Sequence, residues 1–572
     1  RELQIESGFV AGRPATGVAS AQLETLIVAA IASAISVFHT GFLFGVENNL
    51  FHLPIVAGLY DEPQYHGDAF IQSLRSFPPP PPPPPPTPQK YLGHTGQLFL
   101  VLAYLSRLLS FVGFLCCASL VGIVSRRDKI VFSLIICFTG FLGGDSFAGT
   151  GGQFLNYFTH SEIANGTILL AIYFAARQRF AAATVLAGAT FFINAFMAVW
   201  LLLLLAFVAA SLLARRQVTI GAIRSQILVG LGPCVLLAAP VLLNIVSNPE
   251  FGRPLDFDFV DYLHQYFGGH TLIDSIPVAG ILALVAVTVA GGIAFYWLGA
   301  EARALQAAYC GALALYAIGI VVPFVTRLPL VLNLHLLRSS AVIQLLAGLA
   351  TASLATRWLR DDKKSSFLLG GLLVMALSSD NPILLPCIAL IISVPLFTAA
   401  KPLDGTPARM FGYLLLAAVV VLAWPISTLH NLRFARLFGA SISEWTEVGE
   451  WARSSTPATA LFLVPHRAEE ISALEADDSD GTLSGTTIFE FISHRRIWVD
   501  YKRGAAVMWA PSYYHVWRAR LNEVNGLSSL DQRIDYASRH GIGYVIELCH
   551  SAPTDAVFRT ARLCVFAAER GG

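Results

Sequence analysis

The chain has 572 residues, of which 55% are hydrophobic and only 13% charged. Soluble domains carry about 25% charged residues, so this composition points to a polytopic α-helical membrane protein. A formal net charge of +1 gives no one-signed basic face and excludes a nucleic-acid partner.

In chain order, the residues before the first apolar run are mixed in charge and carry no cleavable-leader pattern. A span needs about 20 apolar residues, fewer where neighbours shield it. Candidates lie near 24–46, 97–124, 129–143, 163–177, 181–194, 196–214, 227–246, 277–299, 305–325, 338–357, 366–379, 382–399 and 410–428, about thirteen in all. The basic residues between them set the threading. Arg126, Arg127 and Lys129 fall in one loop, Arg177 and Arg179 in another, and Arg215, Arg216 and Arg224 in a third. Arg303, then Arg357, Arg360, Lys363 and Lys364, then Lys401 and Arg409 continue the series. An N-terminus inside puts all of them at the cytoplasmic face, as positive-inside placement requires. Loops 47–96, 145–162 and 247–276, with everything after about 430, then lie outside. The expected organisation is a transmembrane domain over 1–429 and a soluble extracytoplasmic α/β domain over 430–572.

The outer loops hold the chemistry. Glu47 ends the first span, where a carboxylate is costly unless it is paired or faces water. In "LYDEPQYHGDAF", Asp61 and Asp68 are candidate bases, and each is also placed to cap a turn. Phe70, Ile71, Leu74 and Phe77 follow Asp68 at helical spacing, which predicts an amphipathic helix in the membrane interface. Nine prolines, Pro78 to Pro86, would extend about 28 Å as a polyproline spacer. Arg107 is expected at the outer mouth of its span, facing a lipid phosphate. An intramembrane position would instead require an anionic partner.

Asp145, His160 and Glu162 stand in the second outer loop, where the glycosylation triplet at Asn165 is discounted because a span begins there. The third loop crowds Asp256, Asp258 and Asp261 with His264 and His270, a set that would suit a divalent cation (Mg or Mn) or a solvated acidic rim. His335 and Arg338 stand at the outer entrance of a span, where a forked guanidinium suits a phosphate.

After about 430, "ALFLVP", "RRIWVD", "GYVIEL" and "RLCVFAA" read as buried strands among amphipathic helices. Cys549 and Cys564 would pair if they lie on neighbouring strands outside the cytoplasm. "SHRRIWVDYK" concentrates His494, Arg495, Arg496, Asp500 and Lys502, with an ordinary strand and charged flanks as the simpler account. No nucleophile elbow, phosphate-binding loop or zinc signature occurs in this unit.

This layout resembles the GT-C superfamily of membrane glycosyltransferases, most closely an uncharacterised bacterial branch. That branch's first loop looks like "LP...DP..Y..D", matched by Leu53, Pro54, Asp61, Pro63, Tyr65 and Asp68. Its tail is matched by Trp451, Thr456, Pro457, "ALFLVP" and then Arg496, Val499, Asp500 and Lys502. The proline run departs from the pattern. The resemblance implies an enzyme of the bacterial inner membrane that moves a sugar from a polyprenyl-phosphate lipid to a glycan, lipid or protein acceptor. It implies an acid of the first outer loop as general base, with Asp68 ahead of Asp61 and Glu47. It also implies cations holding the donor phosphate, for which Arg338, Arg107 and His335 are candidates. Asp145, His160, Glu162, Asp258 and His264 are the acceptor and loop candidates. A transporter would favour an inverted repeat and midplane charges, and neither is found. A non-catalytic assembly subunit would keep the same topology.

Overall fold

The computed structural model describes residues 15–77, 92–379, 381, 384–397, 406–465, 485–549 and 555–568. The proline run lies outside them. The first part of the chain forms α1 (Ala15–Thr40), α2 (Asn49–Val56), α3 (Ala69–Ser73), α4 (Leu92–Ser119) and α5 (Arg126–Cys137). A small ribbon, β1 (Gly144–Asp145) with β2 (Gly152–Gln153), precedes α6 (His160–Ala176), α7 (Phe180–Ile193), α8 (Ala195–Ala214) and α9 (Ile220–Ser247). Then come α10 (Phe259–Tyr266), α11 (Val278–Leu298), α12 (Arg303–Val325), α13 (Pro329–Leu332) and α14 (Ser340–Arg360). The apolar part closes with α15 (Lys364–Leu377), α16 (Leu385–Phe397), α17 (Thr406–Ala418) and α18 (Trp424–Ser455).

Among the described residues, seven helical stretches are long and apolar enough to cross a membrane, and shorter apolar helices such as α7 and α15 pack beside them. The protein is a helical membrane protein. α14 is its axis: every residue from Ser340 to Thr356 is buried. A helix apolar on all sides belongs in an interior, and its many Ala, Gly, Ser and Thr residues let neighbours approach closely. α4 and α6 show the same device. Gly166 faces the backbone of Leu109 and Ser110, while Gly113 faces Leu169, so a side chain at either glycine would push the two helices apart.

One end of the bundle gathers basic loops. Arg357 bonds to Val121 O and pairs with Glu301, Arg360 pairs with Asp128 at 2.9 Å, and Lys129 with Glu24 at 3.0 Å. The other end gathers the loops of 41–77, 143–159, 248–277 and 326–339, capped by the C-terminal unit.

That unit comprises β3 (Leu461–Leu463), α19 (Thr486–Ser493), β4 (Arg496–Ile497), α20 (Tyr514–Asn525), α21 (Leu530–Arg539), β5 (Tyr544–Leu548), β6 (Phe558–Arg559) and β7 (Leu563–Ala567). The sheet order is β4-β3-β5-β7-β6. β3 runs parallel to β4 and β5, whereas β7 is antiparallel to β5 and β6. Strand alternation sends Phe462, Val464 and Ile546 toward α18 and α19, and Leu463 and Val545 toward α20 and α21. Cys549 and Cys564 form a disulfide with Cα atoms 5.4 Å apart.

Two boundaries differ from expectation. Position 430 falls inside α18, because α17 runs through a π-helical turn (Val419–Ala423) into α18 as one helical stretch, Pro407–Ser455. His39 Nδ1 lies 2.8 Å from Thr428 Oγ1, and Asn431 donates to His39 O at 3.0 Å, which ties this stretch to the end of α1. The unit also has no separate inner core on its loop side. Leu50, Phe51, Tyr65, Phe70 and Tyr262 pack in one cluster with Val499, Tyr514 and Trp517.

Candidate functional site

The first outer loop is held by backbone and amide bonds before any acid is considered. Asn49 accepts from Gly45 N at 3.0 Å and donates to Phe158 O at 3.2 Å, and Asn48 donates to Thr159 Oγ1 at 3.4 Å. Between these anchors Glu47 adopts a left-handed backbone with φ of 52°. A non-glycine residue there costs on the order of 1 kcal/mol or more, and such strain concentrates at functional sites. Its carboxylate pairs with the Lys502 ammonium, brought in by the C-terminal unit. Lys502 and Glu47 keep 36% and 38% exposure, while burial pulls the Lys502 amine down to about 8. Both groups are thus partly sheltered by protein and still reachable by water.

The other first-loop acids have different places. Asp61 is exposed and pairs with Arg75 at 2.9 Å. Glu62 accepts from His494 at 2.6 Å, a second bond between loop and C-terminal unit. Asp68 Oδ1 accepts from Ile71 N at 3.0 Å, so it caps α3. α3 is not an interfacial helix. It has five residues and passes into a 3-10 turn, and Phe70, Ile71 and Leu74 are buried against protein. Its apolar face is covered by Phe51, Tyr513 and the Arg503 guanidinium, 4.5 Å from the Phe70 ring.

Behind Asp68 lies a fully buried ion pair, Arg503 to Glu490 at 2.6 Å, with exposures of 2% and 1%. Burial pushes the Glu490 carboxyl up to about 7 against the pull of Arg503, and nearby Asp68 adds to the rise. Burial opposes the Arg503 charge, but Glu490, Asp68 and Tyr513 together outweigh it and raise its pKa. Burial, reinforced by Glu490 and Asp68, also holds the Tyr65 phenol well above its ordinary value. Asp500 accepts from Thr486 at 3.1 Å and from Lys502 N at 2.8 Å, which shapes the turn presenting Lys502. Arg495 is structural, donating to Thr456 O, Arg453 O and Ser493 O.

A second cluster adjoins the first through Thr159. His160 opens α6, with its ring 5.5 Å from that of His52. Arg338 donates to Thr150 O at 3.1 Å, stands 5.8 Å from the Phe196 ring, and feels the charge of Asp145. His335 is buried in a left-handed turn, 3.4 Å from Thr271 Oγ1, its ring 5.9 Å from His270. Burial and the neighbouring His160 lower His52 to about 3, and burial with Arg338 lowers His270 to about 3, so both imidazoles are neutral. Among the described residues, the Nδ1 atoms of His52 and His270 have no hydrogen-bond partner.

Other candidates fall elsewhere. Arg107 is not at an outer mouth. It is 1% exposed inside the bundle, 3.3 Å from Glu162, which is 0% exposed. Its guanidinium also bonds to Ser36, Thr40 and Leu155 O, leaving no face for a lipid phosphate. Glu162 is therefore the anionic partner of Arg107 and not a loop acid. Asp258 caps α10 through Val260 N and Asp261 N and pairs with Arg327. His264 is exposed, 3.9 Å from Asp274, and Asp256 pairs with His515 at 3.0 Å. The third-loop acids thus diverge, and no group of three metal-ligand side chains occurs among the described residues. Asn165 is buried and donates to Gly152 O and Gln153, so its triplet is closed to modification.

Glu490, Arg503 and His52 are not among the residues that the sequence singles out. A lone acid in the apolar helix "TTIFEFIS" was the available signal for the first of these.

A family model described as a domain of unknown function (DUF6798) matches residues 443–524. Glu490, His494, Lys502 and Arg503 all lie within that match. Among curated proteins, none matches the chain.

Proposed function

We propose that the protein is a membrane glycosyltransferase. It would move a sugar from a polyprenyl-phosphate lipid to a glycan, lipid or protein acceptor at the outer face. The observation that carries this reading is the meeting of Glu47, at the end of the first apolar span, with Lys502 of the C-terminal unit, beside the loop that leads to Arg338. The chemistry needs a base within about 3 Å of the acceptor hydroxyl while the bond from sugar C1 to the phosphate oxygen breaks. It also needs fixed cations where the phosphate charge grows. Glu47 supplies the base, and Lys502 and Arg338 supply the cations. The neutral imidazoles of His52 and His270 can bond to sugar or acceptor hydroxyls without adding charge. We rank Glu47 ahead of Asp68, whose oxygen is spent on a cap, and ahead of Asp61, which turns to solvent.

The reading includes about thirteen crossings of a bacterial inner membrane, with the N-terminus cytoplasmic and the C-terminal unit outside. The Cys549–Cys564 disulfide supports the outside placement, because such bonds persist in oxidising compartments. Basic loops gathered at the opposite end support it too.

The test uses membranes containing the full chain, offered polyprenyl phosphates carrying radiolabelled sugars. Transfer that disappears in Glu47→Gln and survives in Asp61→Asn supports the assignment. Folded protein that transfers from no donor would favour the assembly-subunit reading instead.

A further inference from the structure

The Glu47–Lys502 pair poses a problem for any reaction at this site. A carboxylate neutralised by an ammonium is a poor base, and an ammonium held by a carboxylate is a poor phosphate ligand. Yet the pair has few marks of a structural clamp. Both heads are more than a third exposed, and exposed pairs add little to stability. Glu47 is held there on a left-handed backbone, against its own conformational preference. Lys502 stands two residues after Asp500, whose carboxylate fixes the turn backbone at Lys502 N without engaging the ammonium.

We infer that the Glu47–Lys502 pair is a latch opened by the phosphate of an arriving lipid. The phosphate takes the Lys502 ammonium from Glu47 and so releases the carboxylate. The inference rests on the glycosyltransferase reading for its purpose, though not for its test. The exchange is non-covalent: the ammonium keeps its three protons, trades a carboxylate oxygen for a phosphate oxygen, and no bond to carbon or phosphorus changes. A phosphate carries up to two charges against the single charge of Glu47, and its oxygens accept stronger, charge-assisted bonds. The base is thereby armed only when donor is present, which keeps Glu47 from acting on water in an empty site.

The two members of a structural pair should be equivalent under mutation, whereas the two halves of a latch should be opposite. The experiment measures binding of undecaprenyl phosphate, without any sugar, to the full chain in lipid nanodiscs. Glu47→Gln removes the competitor and should bind about two- to fivefold tighter, as expected for an exposed pair. Lys502→Gln should bind at least about tenfold weaker, the size of a lost charged hydrogen bond. Lys502→Arg keeps the cation and should retain binding, which separates loss of charge from loss of fold. In the wild type, saturating undecaprenyl phosphate should shield Lys502 from amine acetylation and open Glu47 to carbodiimide labelling, both read by mass spectrometry. Inorganic phosphate is the second arm. The same shielding by it supports the latch with phosphate alone as trigger, and shielding by the lipid only supports it with the chain required. Weaker or unchanged binding in Glu47→Gln would overturn the latch, as would labelling that bound lipid leaves unaltered. Because no sugar is present, these results stand apart from whether transfer is ever observed.

Discussion

Arg503→Met is the sharpest probe of how the C-terminal unit is seated. The substitution keeps the volume over the Phe70 ring but leaves the Glu490 carboxylate about 1% exposed and unpaired, with Asp68 and Tyr65 close by. Removing one member of a buried pair costs about 3–5 kcal/mol, because the remaining charge stays desolvated. At roughly 2–4 °C per kcal/mol for a unit of this size, the melting transition should fall by about 6–20 °C. Tryptophan emission in detergent can follow it, since Trp445, Trp451, Trp498, Trp509 and Trp517 all report on this unit. Without Arg503 the Glu490 carboxyl rises further above the value of about 7 that it holds beside that guanidinium, so the full loss is expected only at about pH 9 or above. At pH 5.5 the carboxyl takes up a proton and the loss should shrink. Glu490→Gln added to Arg503→Met should recover most of the stability, as the buried charge is then gone. A single variant losing less than about 1 kcal/mol at about pH 9 would refute the reasoning, and so would a double variant as unstable as the single.

Three further outcomes are expected. Asp68→Asn, retaining a weaker cap, should lower stability by no more than about 1 kcal/mol with transfer preserved, whereas Glu47→Gln should abolish transfer in a protein that melts normally. Replacing both Cys549 and Cys564 by Ser should cost about 3 kcal/mol, the entropy of closing a 15-residue loop, read as a lower melting temperature of the C-terminal unit. The Glu490 carboxyl is raised in the fold from its ordinary 4.5 to about 7, so its favourable contribution is complete below about 4.5 and is lost as pH rises through about 7. A Glu490→Gln variant should show a flatter dependence of stability on pH across that window, and an unchanged slope would assign the titration elsewhere.

The membrane class was legible because run length and charge density are averages over many residues, which no single contact can reverse. Two of the expected strands were legible for a similar reason, since "GYVIEL" and "RLCVFAA" are dense in β-branched and aromatic residues, and both hold strands, β5 and β7. Cys549 and Cys564 needed only neighbouring positions, and β7 with the residue just past the end of β5 provided them. The charged site was far less visible. Glu47 and Lys502 lie 455 positions apart, and nothing local to either names the other. Arg107 was misplaced because a span edge slides by several residues when its flanks are apolar, while its partner Glu162 sits in what read as a loop. The helix after Asp68 was overestimated because periodicity registers an apolar face without saying whether lipid or protein covers it. Pro78 also restricts Phe77 to extended backbone, which ends the helical path early.

The unbroken helical stretch from Pro407 to Ser455 has a mechanical meaning. Its 49 residues span about 73 Å, against a hydrocarbon thickness of about 30 Å. The bonds from His39 to Thr428 and Asn431 pin its depth where α1 ends, so the remainder stands as a rigid post. A post without slack sets both the height and the azimuth of whatever it carries. Lys502 therefore meets Glu47 at an effective concentration fixed by helix geometry instead of by diffusion on a tether. One residue added to the post would turn its cargo by about 100°, enough to aim that lysine at solvent.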